Sequence, residues 1–557
     1  MLKDVSSPLS STGRTRALFA ALSLPIIGGA VAAMAAVSLS VLPIWGDQAW
    51  CAYVASRVLD GTQLGTDIVE VNPPTIIWMS EIPVILSRLI GVSLQTAMQI
   101  CLGLLILLSV AWCASLVRRT ERPRSGAMAL WLAVSILYAT SVYRWMDVGE
   151  REHIMVLLLL PYLVTAAIRL EGASPLRWQG FAAGSAALIA LALKPHHLLI
   201  ALGVELLLAY RQGVRRSFLR PEAVGAVLTG LIYCLAVWIF ARDYMTAVVP
   251  LNYLAYNSFY HVPIGALIVP GRTAKVLAVL ALWALLERRL QYRALCAVLV
   301  IAAIGATVGY LIQEKGDPYQ FGPADAYFII LVSVMFADGF TRWMGPPNQR
   351  LFQTQRLFQT WPAPAVALAS FLFTASLYFP FHSARAAATY DTDYARPQVA
   401  VTNALRAGTA IMVLGPNAIS FDLVLDRRLK WVSRFYGFWT LEAIFDARET
   451  NDANLRRVRL AKLADVVHLT RTAADEDLQR WKPSVVLVER CDDPSILCGK
   501  SEAMREIDVL EWFKEDPAFR RVWENYEWCQ RIGYYDAWVA KADQDVCRSL
   551  SSVSAYE

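Results

Sequence analysis

Long apolar runs separated by short polar segments make up most of the chain before residue 381. Crossing a bilayer takes about 20 apolar residues, and these runs reach that length or can extend into their polar flanks. Eleven spans are predicted, at 17–42, 95–117, 126–142, 154–169, 179–193, 197–210, 222–240, 273–286, 294–312, 325–341 and 362–380. The pattern predicts an α-helical polytopic membrane protein. The first run is too long for a signal-peptide core, so we interpret it as a retained span.

A further apolar helix, predicted over residues 75–89, decides the orientation of the chain. If it lies along the membrane, the loops on the N-terminal side of the bilayer hold more Lys and Arg residues than the loops opposite. Because these residues concentrate in cytoplasmic loops, the N-terminus is predicted to be cytoplasmic. The loop 43–94 and everything after residue 381 are then outside.

The last third of the chain changes to a charged, mixed pattern. Short runs typical of β-strands alternate there with charged helical stretches; the runs are Ala410–Leu414, Ser484–Glu489 and Tyr534–Val539, and the stretches are Asn454–Leu469 and Glu502–Lys514. This alternation predicts a small soluble α/β domain. We therefore expect a transmembrane domain over residues 1–381 and an extracytoplasmic domain over residues 382–557.

Cysteine positions bear on the compartment of that tail. Of nine cysteines, the last four are Cys491, Cys498, Cys529 and Cys547. An even set in a domain facing an oxidising compartment predicts two disulfides. Proximity favours Cys491 with Cys498 and Cys529 with Cys547, and four free thiols is the alternative.

Composition excludes an ordinary soluble protein. The 557 residues are 56% hydrophobic and 18% charged, and the mean hydropathy is +0.41, values that belong to polytopic membrane proteins. The net charge of +6 is concentrated in the predicted inner loops, and no nucleic-acid partner is predicted. The tail contains no Walker loop, no GxSxG motif and no metal-ligand spacing.

Candidate chemistry collects where polar residues meet the predicted outer ends of the spans. Ionisable groups at membrane depth are costly and usually functional. The candidates are Asp47, Glu70, Glu150, Arg151, Glu152, His153, Lys194, His196, Lys315 and Tyr319. Cations and carboxylates on one face suit a site that binds a phosphate and also needs a general base. His196 and His197 have no third ligand at metal spacing, so no metal site is predicted.

Each candidate also has a structural interpretation. An acidic residue in an outer loop is often merely solvated, and the charges from Glu150 to His153 would also suit a salt bridge cluster between helix ends. Lys194 could place its ammonium at the membrane interface without any further role. We favour function for Asp47, which directly follows a span between Trp45 and Trp50.

The order of these motifs resembles the GT-C superfamily of integral-membrane glycosyltransferases, which includes protein O-mannosyltransferases and lipid A aminoarabinose transferases. An acidic residue, Asp47, follows the first span, and the large first outer loop ends in Asn72-Pro73-Pro74-Thr75. A second outer carboxylate motif covers Asp147–Glu152, and a soluble domain closes the chain. The usual motif reads HPPL or KPPL, so Asn72 and Thr75 depart from it.

The resemblance implies a transferase that takes a sugar from a polyprenyl-phosphate donor to an acceptor hydroxyl on a glycan or lipid. Asp47 would be the general base, and Arg151, Lys194 and Lys315 would bind the phosphate. Glu70 and Glu152 would position sugar hydroxyls or orient those cations. The donor itself carries the sugar, so no cofactor is expected. The expected location is the bacterial inner membrane, with a periplasmic C-terminal domain.

Two other classes remain open. A secondary transporter or lipid flippase would show inverted repeats and broken helices near the midplane, and no such repeat is evident. An O-antigen ligase or polymerase would carry its large outer loop late in the chain, whereas here the large outer loop comes first.

Overall fold

The computed structural model describes residues 11–41, 46–120, 122, 125–257, 261–343, 395–449, 452–491, 504 and 507–552. Before residue 344 it contains fifteen α-helices within these ranges. They are α1 Ser11–Val41, α2 Gly46–Leu59, α3 Pro74–Ile90, α4 Leu94–Arg118, α5 Ser125–Tyr138, α6 Arg151–Leu170, α7 Arg177–Leu193, α8 Leu198–Gln212, α9 Val214–Phe218, α10 Pro221–Phe240, α11 Val249–Leu251, α12 Ile264–Leu267, α13 Pro270–Leu286, α14 Arg293–Gln313 and α15 Gly322–Trp343.

Ten of the predicted spans fall on helices, and the eleventh, 362–380, lies outside the described residues. Six helical segments of the described chain are long and apolar enough to cross a membrane: Leu94–Arg118, Ser125–Tyr143, Arg151–Leu170, Pro221–Phe240, Arg293–Gln313 and Pro318–Gly339. A mostly helical membrane protein is therefore confirmed, while the total of eleven spans stays a prediction. Helix α3 is not among the six, and its position along the membrane also stays a prediction.

The chain forms two compact units. The helical unit comprises residues 1–42, 99–232 and 263–384, and the mixed unit comprises residues 43–98, 233–262 and 385–557. The domain boundary predicted between residues 381 and 382 lies outside the described residues.

Small residues bring the helices of the helical unit close together. A Cβ at Gly184 on α7 would lie 1.9 Å from the backbone oxygen of Glu222, and one at Gly225 on α10 would lie 2.2 Å from that of Phe181. Only glycine permits this backbone approach, which is a common device where membrane helices pack. Helix α6 is buried along almost its whole length, so it forms the centre of this unit.

The mixed unit contains a five-stranded sheet in the order β2-β1-β3-β5-β4. The strands are β1 Ala410–Leu414, β2 Lys430–Trp431, β3 Val485–Glu489, β4 Tyr526–Ile532 and β5 Tyr535–Ala540. Strands β2 and β3 pair parallel to β1, whereas β5 pairs antiparallel to both β3 and β4. The small C-terminal α/β sheet is confirmed, although β2 and β4 were not predicted.

The helices of the tail also differ in part from prediction. They are α16 Ala395–Ala404, α17 Phe421–Asp426, α18 Thr440–Glu449, α19 Ala453–Lys462, α20 Ala464–Trp481, α21 Val509–Lys514, α22 Pro517–Trp523 and α23 Gln544–Ser551. The stretch predicted over Asn454–Leu469 is two helices with Leu463 between them. In the stretch predicted over Glu502–Lys514, residues 502, 503, 505 and 506 lie outside the described residues. The helix described there is Val509–Lys514, and the Asp508 side chain caps it by accepting from the Glu511 N–H.

One predicted disulfide is confirmed. Cys529 and Cys547 are bonded, which joins β4 to α23. Cys491 is also disulfide-bonded, and Cys498 lies outside the described residues.

The first loop packs within the mixed unit. Trp50 on α2 lies with its ring centroid 5.0 Å from that of Phe421, and Tyr53 Oη donates to the Trp431 carbonyl at 3.0 Å. The Val69 N–H donates to the Arg434 carbonyl at 2.8 Å. Residues far apart in sequence therefore share one core.

Candidate functional site

A buried ion pair lies at one end of the helical unit. Lys194 follows the last residue of α7, Glu152 lies in the first turn of α6, and Lys194 Nζ is 2.8 Å from Glu152 Oε1. The two side chains are 9% and 2% exposed. Antiparallel α6 and α7 are joined by a short loop at their other ends, so the start of α6 meets the end of α7 here.

Three further candidates surround this pair. Lys194 Nζ lies 5.9 Å from the centroid of the Tyr319 ring, which belongs to a 3₁₀ turn over Pro318–Phe321. Arg151 and His196 both interact electrostatically with Glu152. Burial, together with the charge of Lys194, lowers the pKa of His196 against the opposing effect of Glu152. The structure thus brings together Arg151, Glu152, Lys194, His196 and Tyr319.

A second cluster at the same end was missed from the sequence. Asp325, 3% exposed, accepts from Lys275 Nζ at 2.5 Å and from Arg144 at 3.2 Å. Lys275 Nζ also donates to Tyr143 Oη at 3.0 Å. One signal in the sequence could have indicated this cluster. Asp325 is the first residue of the predicted span 325–341, and a carboxylate at membrane depth needs a cationic partner.

Arg144 joins the second cluster to the first. Its guanidinium pairs with Asp147 and donates to the Pro318 carbonyl at 3.0 Å, next to Tyr319 in the chain. Burial raises the pKa of the Asp147 carboxyl, against the charge of Arg144, and the carboxylates of Glu152 and Asp325 raise it further. The two clusters therefore influence each other electrostatically, and we call them together the charged end.

The remaining candidates of the helical unit have local contacts. His153 Nδ1 accepts from the Gly149 N–H at 3.1 Å, which holds the turn before α6, where Gly149 has φ 93°. Glu150 is the residue immediately before α6. Lys315 is 6% exposed in the segment after α14. Their roles at a substrate stay predictions.

Asp47 and Glu70 belong to the mixed unit. Asp47 lies half-buried in the first turn of α2, while Trp45 lies outside the described residues. Glu70, 3% exposed, accepts from Trp50 Nε1 and from the Asn72 N–H. Glu70 therefore ties α2 to the turn that precedes the Pro73-Pro74 pair, and substrate binding by it stays a prediction.

Within the described residues, no group of three His, Cys, Asp or Glu side chains could hold a metal ion. That the reaction needs no metal stays a prediction.

Comparison with solved structures places the chain in a known fold class. At the level of sequence, no family model and no curated protein matches the chain. Its structure is similar to that of ArnT from Cupriavidus metallidurans bound to undecaprenyl phosphate, with a TM-score of 0.53 and 11% sequence identity. The match covers 96% of this chain and 99% of the ArnT chain. For the apo state of that protein the TM-score is 0.52 at 12% identity, covering 97% of this chain and 100% of the other.

The oligosaccharyltransferase AglB from Archaeoglobus fulgidus, in complex with an inhibitory peptide and a dolichol-phosphate, gives a TM-score of 0.44 at 11% identity, covering 94% of this chain and 75% of the other. The likeness to ArnT shows that the chain has the fold of a GT-C membrane enzyme. The predicted resemblance is confirmed for the fold.

Proposed function

We propose that this chain is a membrane glycosyltransferase that moves a sugar from a polyprenyl-phosphate donor to an acceptor hydroxyl. The observation that carries the proposal is the charged end. Its two most buried carboxylates each face two cations: Glu152 interacts with Lys194 and Arg151, and Asp325 binds Lys275 and Arg144. Arg144 also pairs with the third carboxylate, Asp147. The four cations outnumber the three carboxylates that they contact. Such a surplus of positive charge is suited to an anionic ligand, because charge-assisted hydrogen bonds to phosphate are among the strongest that a protein makes.

The fold supports a lipid-linked phosphate as that anion. An ArnT structure with the same fold over nearly the whole chain was solved bound to undecaprenyl phosphate. A donor retained in the bilayer also fits helices with exposed apolar faces, such as α10 with Leu228, Leu231 and Leu235. Arg151, Lys194 and Lys315 are proposed to bind the phosphate and to stabilise its charge as it leaves.

Asp47 is proposed as the general base. The acceptor oxygen attacks the anomeric carbon, the bond from that carbon to the phosphate oxygen breaks, and the phosphate leaves with the electron pair. Asp47 takes the proton of the acceptor hydroxyl. The assignment rests on the position of Asp47 directly after the first predicted span. We further propose that the reaction takes place on the periplasmic face of the bacterial inner membrane.

Transfer of a radiolabelled sugar from polyprenyl-phosphate donors tests the proposal. Because general base catalysis contributes typically about 100-fold or more, Asp47→Asn is expected to lower transfer by at least that factor at equal membrane level. The matched control is Glu81→Gln, which removes a half-buried carboxylate from α3 in the same outer loop and is expected to keep wild-type transfer. Equal transfer by both variants would exclude Asp47 as the base, and no transfer by the wild type from any donor would overturn the function.

A further inference from the structure

A polar cavity of about 340 Å³ lies within the mixed unit, and none of the proposed substrate-binding or catalytic residues lines it. Its walls are the end of α2 with the following turn, the segment around β2, and the end of α20. The volume is near the lower end of the roughly 300–1,000 Å³ typical of small-molecule sites. The lining is rich in charged side chains, which a hydrophobic ligand would leave without partners.

Every carboxylate of this lining already has an arginine partner. Asp60 pairs with Arg88 at 2.9 Å, and Asp67 lies 3.7 Å from Arg480. Arg434 pairs with the other two, Glu476 at 2.8 Å and Asp477 at 2.9 Å. Each carboxylate of the lining thus has a cation within ion-pair distance.

Two cations of the lining are left over. Among the described residues, neither Arg57 nor Lys430 forms an ion pair with a carboxylate. Both lie at the Trp481 ring, with Lys430 Nζ 4.8 Å and Arg57 Cζ 5.9 Å from its centroid, and Arg57 also donates to Thr62 Oγ1 at 3.4 Å. The aromatic ring holds the two cations at the cavity without neutralising them.

We propose that this cavity binds an anionic saccharide, with Arg57 and Lys430 as the groups that recognise its phosphate or carboxylate. The cavity wall also contains the hydroxyl-bearing residues Thr62, Thr66 and Ser433. A charged sugar combines an anionic group for the two cations with hydroxyls that can hydrogen-bond to this polar wall. The inference rests on the proposed function, because it makes the cavity the subsite for the acceptor glycan. Trp481 is a positioning residue that keeps the two cations in place.

Direct binding to the full-length protein in detergent, without any donor, tests the proposal. The probes are trigalacturonate, glucose 6-phosphate, neutral maltotriose and inorganic phosphate, measured by calorimetry. Arg57→Gln/Lys430→Gln is expected to weaken binding of the charged sugar at least about tenfold, because hydrogen bonds to charged groups are lost. The matched control, Arg406→Gln/Lys541→Gln, removes two exposed cations elsewhere in the mixed unit and should leave binding unchanged.

The two charged sugars show whether a carboxylate or a phosphate is recognised, and binding of either supports the proposal. Equal affinity of the wild type and the cavity variant for both would overturn it. Maltotriose or inorganic phosphate bound as tightly as the charged sugars would also overturn it, since the ligand would then not be an anionic saccharide.

Binding of undecaprenyl phosphate to the same samples separates this inference from the proposed function. If the lipid phosphate binds and no charged sugar does, the cavity proposal fails while the glycosyltransferase proposal stands. If a charged sugar binds through Arg57 and Lys430 but the lipid phosphate does not bind, the saccharide site is supported and the lipid-linked donor is rejected.

Discussion

The two ends of the helical unit both contain buried ion pairs, yet they are built differently. At the end opposite the charged end, three arginines each meet one glutamate: Arg122 with Glu171 at 2.9 Å, Arg169 with Glu222 at 3.0 Å, and Arg220 with Glu205. We call this the Arg–Glu end. Helix α6 carries Glu152 near one end and Arg169 near the other, which separates their backbones by about 26 Å along the helix axis.

At the charged end the pairing is uneven. Lysines take part, and they also contact a tyrosine ring or hydroxyl. Glu152 and Asp325 each meet two cations, and Arg144 is shared between Asp325 and Asp147. A one-to-one pair leaves no charge over, whereas a carboxylate between two cations leaves positive charge that an anionic ligand can meet. One end is therefore suited to fastening helices, and the other end is suited to receiving an anion from outside the protein.

The largest expected effect concerns which end faces outward. Two variants are compared, both in a background in which the exposed Cys234 is replaced by serine. One carries Gly271→Cys at the exposed start of α13, and the other carries Arg215→Cys at an exposed position in α9. A membrane-impermeant maleimide on intact spheroplasts should label only Gly271→Cys, because the charged end is predicted to face the periplasm. Arg215→Cys should be labelled only after lysis. The reverse result would invert the orientation and refute the positive-inside prediction.

The next effect separates fastening from ligand binding. Lys194→Gln and Arg169→Gln each leave one buried carboxylate without its closest cation, so both are expected to lower the stability by about 3–5 kcal/mol. Only Lys194→Gln should weaken undecaprenyl phosphate binding, by about 10–100-fold. Thermal unfolding in detergent and lipid binding are measured on the same samples.

If both variants lost lipid binding equally, destabilisation alone would explain the loss. That result would contradict the proposed difference between the two ends. The double variant Glu152→Gln/Lys194→Gln serves as a second control. It should recover part of the stability, since no unpaired buried charge remains, without recovering lipid binding.

The smallest effect concerns a buried carboxylate that has no cationic partner among the described residues. Glu489 at the end of β3 accepts from the Asn417 N–H and side-chain amide at 3.0 and 2.7 Å, and burial raises its pKa from 4.5 to about 7. The folded form therefore binds the proton more tightly than the unfolded chain does. The protonated Glu489 therefore contributes to the free energy of unfolding, by roughly 3 kcal/mol at most. This contribution is fully present below pH 4.5 and is lost as the pH rises through 7.

Glu489→Gln is expected to flatten this dependence. Hydrogen exchange of peptides covering β1 and β3, corrected for the intrinsic rate, is measured from pH 5 to 8. Protection should fall with pH in the wild type and change less in the variant. Glu524→Gln, at an exposed position, controls for the loss of one negative charge, and a variant as pH-dependent as the wild type would show that Glu489 does not titrate in this range.

The sequence by itself determined the elements whose signal is local. A span is recognised by the length of an apolar run, so ten predicted spans fall on helices. The strands β1, β3 and β5 follow from short runs of branched and aromatic residues. Cys529 and Cys547 could be paired because they are close in sequence. The resemblance to GT-C enzymes came from the order of such local motifs, and the fold agrees with it.

The tertiary structure alone decided which distant side chains meet. Asp325 binds Lys275 and Arg144, three residues from three separate parts of the chain that have no common spacing. The position of Glu70 predicts a substrate ligand, which stays a prediction, and its hydrogen bonds to Trp50 and Asn72 could be found only from the fold. The polar cavity of the mixed unit is likewise lined by α2, β2 and α20, which lie far apart in the sequence. Periodicity reports which face of an element is buried, whereas the partner of a buried charge depends on packing between elements.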